Sequence, residues 1–245
     1  MSEIEQESPE EGRNMSGDMQ EVLDANIVIL LEEPLTQTVN AVSLFEGREL
    51  ASFMKKPLTV NQGLNLDLAL GAAVGTYQVE SMRSQKTISL SPVRIEVHDR
   101  SGETDVEKTK IPETMFALAD ALPIGLIKAI GANWEVTFKS LEGIPASTEI
   151  AKKLFREDTS FLPQKMNLIG GTARLLLSDD SGVVVYTLAI EPRGQNPTTE
   201  DLWMSCNATI NNPEALSIEV LKAMFQQSYD LLFEVKKSLF PAPQQ

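Results

Sequence analysis

Cysteine, histidine, aromatic side chains and basic charge are all scarce in this chain, and each scarcity narrows the functions open to it. A single cysteine, Cys206, leaves no internal disulfide to form and suits a reducing compartment. A single histidine, His98, gives a metal site one imidazole and gives histidine-dependent catalysis one base. Only 21 lysines and arginines stand against 35 acids, a formal net charge of −14. Phosphate backbones and anionic lipid surfaces are held by basic footprints, so neither nucleic acid nor a membrane is the expected partner. No apolar run approaches the ~20 residues needed to span a bilayer. The first 25 residues are polar and acidic, the opposite of a signal peptide, and the expected location is the cytoplasm.

What remains is ample for a folded core. Of 245 residues, 42% are hydrophobic, enough for one large domain or two small ones. Residues 1–24 hold eight acids and one base, Arg13, which is half of the charge excess. That segment reads as a disordered acidic tail, with residues 241–245 as a second short tail.

Between the tails the hydrophobic pattern predicts an α+β fold. The apolar run at 26–32 reads as a buried strand, and the segment around 48–54 as a short, interrupted helix. The alternation at 64–70 predicts a strand with one wet face, and the small residues of "GAAVG" (71–75) a bend or a close backbone approach. Strands are expected at 76–82 and 87–98, the latter with Pro92 at a bulge or edge. "PETMFALADALP" predicts a helix over 112–122, bounded by prolines.

In the second half, strands are expected at 126–138, 166–178, 183–191 and 201–211, and helices at 145–155 and 214–239. The element order gives two β-α-β-β-β-α units, residues 25–123 and 124–240. Their mainly antiparallel sheets carry helices on one side, closed by the long C-terminal helix.

Two stretches resemble ligand loops and fail on context. "NLIGGTARLLLSDDSGVVVYTLAIEP" (167–192) sets a double glycine after an apolar run, but no lysine and no helix follow it. Its "SDDSG" lies between two strand-like runs and reads as a hairpin turn. "HDRSGETD" spaces its acids like a calcium loop, yet Thr104 stands where glycine is required and Lys110 where glutamate is.

The remaining chemistry is thin. Arg94, Glu96 and His98 share a strand face, where cross-strand charge pairing explains them as well as acid–base work does. Alternation buries Cys206 away from His98, so a cysteine–histidine pair is not expected. Carboxylate pairs drawn from Glu32, Glu33, Glu135 and Glu191 leave a carboxylate-dependent enzyme as a lesser alternative. No cofactor is expected.

The leading expectation is a non-enzymatic protein-interaction or assembly protein. It would bind a protein partner or itself through a sheet face, a sheet edge or the last helix, whose stripe includes Leu221, Phe225, Leu232, Val235 and Leu239. Asn211 or Asn212 would cap that helix, with Pro213 in its first turn. A small apolar ligand in a pocket between sheet and helix, walled by Trp134, Phe138, Tyr186 and Phe225, is the alternative.

Overall fold

The structure is a computed structural model that describes residues 20–35, 48–67, 72–139, 144–154, 170–196 and 198–240. Its strands are β1 (Gln20–Leu31), β2 (Thr59–Asp67), β3 (Ala72–Ser81), β4 (Lys86–Ser91), β5 (Arg94–Asp99), β6 (Ile127–Lys139), β7 (Ala173–Ser178), β8 (Val184–Pro192) and β9 (Asp201–Asn211). Its helices are α1 (Arg48–Phe53), α2 (Val106–Thr109), α3 (Ile111–Ala121), α4 (Ala146–Leu154) and α5 (Ile218–Leu239).

The fold is α+β. All nine strands pair antiparallel in one sheet, in the order β2-β3-β4-β5-β1-β6-β9-β8-β7. Strict alternation explains the one-sided burial. In β6 Ile130, Ala132, Trp134, Val136 and Phe138 are buried, and in β9 Leu202, Met204, Cys206, Ala208 and Ile210 are. Those rows face the helices, and one continuous apolar core runs through both halves of the chain.

Helix α5 packs across β6, β8 and β9, and α3 lies against β1 and β5. Leu221, Phe225 and Leu232 are fully buried, and Val235 and Leu239 are half-buried against the same core. The polar break in the stripe, Ser228, is also fully buried; its hydroxyl donates to the Phe225 carbonyl at 3.0 Å. The stripe is therefore spent on the sheet of its own chain.

The second half reads β6-α4-β7-β8-β9-α5, the expected β-α-β-β-β-α order. The first carries one strand more. Its predicted strand at 87–98 is two strands, β4 and β5, joined by a two-residue turn at Pro92 and Val93. Proline cannot donate to a ladder, and here it sits outside the ladder altogether.

Three further boundaries differ from expectation. Residues 20–24 of the expected tail begin β1 and pair with β6, while 1–19 and 241–245 lie outside the described residues. Of the "GAAVG" stretch, Gly71 lies outside the described residues, and residues 72–75 are no bend: they extend β3 and pair with β2 from Asp67↔Ala72 to Leu64↔Gly75. Finally, α5 starts at Ile218, capped by the Ser217 hydroxyl, which accepts from the Val220 amide at 3.2 Å. Asn212 instead takes a left-handed conformation (φ 47°), so the chain turns there before a helix can begin.

The opening of the 167–192 stretch has a packing explanation. A Cβ on Gly170 would lie 2.6 Å from the Cβ of Ser147, and the Gly171 amide donates to the Ser147 carbonyl at 3.0 Å. Glycine is required there because the backbone passes directly over α4. The following "SDDSG" is a hairpin turn. Asp179 accepts from the Val184 amide at 3.0 Å and from the Ser181 hydroxyl at 2.5 Å, and Gly182 has φ 70°.

Candidate functional site

The face of the sheet turned away from the helices carries a row of polar side chains. Paired positions run Thr59, Glu80, Thr87, His98, Asn26, Asn133, Asn207, Thr187 and Leu176, one from each strand in spatial order. Eight are polar and the last, on β7, is leucine. Within the row the Asn133 amide donates to the Asn26 oxygen at 2.6 Å, and the Asn207 amide donates to the Asn133 oxygen. Asn26 donates in turn to Asp24 at 2.8 Å, and Thr209 to Asn207 at 2.6 Å. A slip of one residue in any of these strands would send its partner to the opposite face, so the amide chain fixes register at the sheet centre.

His98 lies in this row between Thr87 and Asn26. Its Nδ1 lies 3.0 Å from Asp24 Oδ2, and its Nε2 lies 3.9 Å from Glu96 Oε2. Burial alone would lower its pKa. Hydrogen bonds to Asp24 and Glu96, with their charges, outweigh burial and raise it to about 9. His98 is therefore an imidazolium at neutral pH. It also holds the Glu96 carboxyl below its usual range, helped by the Arg94 guanidinium that pairs with Glu96. Arg100 approaches Asp24 at 3.5 Å. A histidine that keeps its proton serves poorly as a general base and well as a fixed cation.

Glu135 is the registered partner of Asp24. Burial, with the Asp24 charge beside it, pushes its carboxyl above the usual range. Glu191 lies elsewhere on the sheet, 3.9 Å from Arg174, and Glu32 and Glu33 are exposed in the turn after β1. The structure thus does not gather the four glutamates singled out in the sequence. Cys206 is fully buried on the helix-facing side, and burial raises its thiol to about 12. It cannot meet His98, which belongs to the other face.

The residues suggested as pocket walls are engaged in contacts between the sheet and α5. The rings of Trp134 and Phe225 lie 4.6 Å apart, and the Trp134 indole donates to the Phe225 carbonyl at 3.0 Å. Phe138 meets Phe233 edge-on at 5.7 Å, and the Tyr186 hydroxyl bonds Gln227 at 3.0 Å.

Sequence reading named a sheet edge as a binding surface but not the strand that forms it, which is β7. Among the described residues β7 has one neighbour, β8, so the outer side of its backbone is unpaired. Its sequence is ARLLLS, with Leu176 75% exposed and Leu177 37% exposed. In the adjoining turn Val183 is also exposed. The signal was present as three consecutive leucines, but such a run reads equally well as a buried strand.

Among the described residues there is no group of three or more histidine, cysteine or carboxylate side chains placed to hold a metal ion. Nor is any helix there long and apolar enough to cross a membrane. The chain matches no known protein family and no curated protein.

Proposed function

We propose that this chain is a non-enzymatic protein-interaction module that captures an extended apolar segment of a partner protein along β7. One observation carries the reading: an edge strand whose outer side has no partner among the described residues, with a leucine 75% exposed. Edge strands are ordinarily blunted by charge, proline or a bulge, because their free amides and carbonyls template further pairing. In β7 the sole charge is Arg174, at its beginning.

On the opposite edge, β2 exposes Thr59, Val60, Asn61 and Gln62, one apolar side chain among three polar ones. A strand added at β7 would gain main-chain hydrogen bonds, with the exposed leucines selecting alternate apolar side chains. Asp179 and Asp180 lie in the turn that follows β7, and the whole chain carries −14. A second copy would bring the same excess of negative charge to the edge, whereas a segment with basic flanks would be attracted to it. The occupant is accordingly a foreign, basic-flanked apolar strand.

Selection of short peptides displayed on phage against the full chain tests this. Enriched sequences should alternate apolar residues between lysines or arginines. Leu176→Lys should weaken their binding by about tenfold or more, equivalent to ~1.4 kcal/mol. Because the site is exposed, folding stability should stay within about 0.5 kcal/mol of the parent. Equal binding by the variant would refute the proposal. A dimer seen by native mass spectrometry and lost in the variant would replace the foreign strand with a second copy.

A further inference from the structure

A cleft of about 500 Å³ opens at the C-terminal end of β5, lined from α1 and Lys55 just beyond it, the β3–β4 turn and the residues following β5. Its chemistry runs against that of the chain. Lys55, Arg83, Lys86, Lys108 and Lys110 line it, facing only two carboxylates, Asp99 and Glu103. The acidic protein therefore gathers five of its 21 basic residues around one hollow, against two carboxylates in its lining.

The charges are divided between floor and rim. Lys86 is fixed at the floor: its Nζ lies 3.0 Å from Asp99 Oδ2, donates to the Thr109 carbonyl at 2.9 Å, and sits 4.2 Å from the centre of the Phe53 ring. Asp99 is 2% exposed, and its other oxygen accepts from the Ser101 amide at 2.9 Å. The Asp99 oxygen facing Lys86 is close enough for an ion pair but not aligned for a hydrogen bond. Floor charge is thereby neutralised within the protein.

At the rim, Glu103 accepts from the Thr104 and Asp105 amides at 3.0 and 2.9 Å. Lys108 pairs with Asp105 at 3.0 Å, and Lys110 reaches Glu113 only at 3.8 Å. Among the described residues, no carboxylate lies within 4.0 Å of Lys55 or Arg83. Gln85 and Lys110 also line the cleft, with φ of 53° and 58°, a conformation that costs non-glycine residues energy.

We propose that this cleft binds a small molecule of nucleotide size that carries two or more phosphate charges. Lysines supply point charges and Arg83 a planar fork for phosphate oxygens. The volume falls within the range of small-ligand sites, roughly 300–1,000 Å³. The site is independent of the β7 edge, and one can fail without the other.

Isothermal titration of the full chain with inorganic pyrophosphate, at low and at physiological salt, tests the assignment. Binding should be saturable, weaken as salt rises, and fall about tenfold or more in a Lys55→Gln/Arg83→Gln variant. Both side chains are at the rim, so the thermal midpoint without ligand should be unchanged; a paired Lys152→Gln/Lys153→Gln variant on α4 should bind as the parent does. No saturable binding by the parent, or equal loss in the α4 variant, would overturn the proposal. So would binding confined to an acidic peptide with none to pyrophosphate.

Discussion

Trp134→Ala is expected to destabilise the protein by about 3–5 kcal/mol, a large share of a stability that for a domain is typically ~5–15 kcal/mol. The side chain is fully buried between the sheet and α5, packed on Phe225 at 4.6 Å and edge-on to Tyr229 at 4.8 Å. Truncation removes the transfer energy of an indole and leaves a cavity where a side-chain hydrogen bond joins β6 to α5. The lost hydrogen bond is the smaller part. The Phe225 carbonyl still accepts from Ser228 at 3.0 Å, so Trp134→Phe should cost less, about 1–2 kcal/mol. Urea denaturation of the three proteins would give the order parent, phenylalanine, alanine. A loss below about 1 kcal/mol for alanine would mean that α5 does not close this core.

The second large effect is a pH dependence centred on His98. Its pKa rises from 6.5 to about 9 on folding, so the folded state holds the proton more tightly. The stabilisation is fully present below the unfolded value of 6.5 and is lost as pH rises through the folded value near 9. At ~1.4 kcal/mol per pH unit, the difference amounts to about 3 kcal/mol. On the acid side the sign reverses. Glu96 is depressed from 4.5, so its contribution is present above 4.5 and lost as pH falls through its lower folded value.

The groups that set His98 are Asp24 and Glu96, with Arg94, Arg100 and Glu135 beside them on the same face. Denaturation curves from pH 6.5 to 9.5 should show the fall in the parent and a flatter profile in His98→Gln. As the only histidine, His98 also gives an unambiguous proton resonance to titrate. A midpoint near 6.5 would contradict the ion-pair geometry.

Much of the fold was legible because burial is one-sided. The alternation of Ile130, Ala132, Trp134, Val136 and Phe138 located β6 within one residue at each end, and that of Leu202 to Ile210 did the same for β9. The short helix at 48–53 was also readable, since Leu50, Phe53 and Met54 are all buried. What failed was local punctuation. The small residues of 71–75 suggest a bend or a close backbone approach, although the partner strand keeps 72–75 extended, and Pro92 is expected at a bulge or an edge where it closes a hairpin.

The candidate sites were less legible, for a physical reason. The asparagine row joins positions 26, 133 and 207, which only the register of β1, β6 and β9 brings together. A faint signal exists: "AN", "AN" and "CN" place a small core residue before asparagine in each of the three strands. The cationic cleft assembles residues spread from Lys55 to Lys110, none unusual by itself. Exposure of Leu176 depends on β7 being the last strand, which is a property of topology rather than of composition.

The most direct test of strand capture is amide hydrogen exchange across residues 173–178, measured on the full chain with and without a peptide selected against it. Alternate amides of β7, those pointing away from β8, should exchange quickly in the free protein and become protected on binding, with β2 unchanged. Protection elsewhere, on the polar row or on α5 while β7 stays open, would contradict the account.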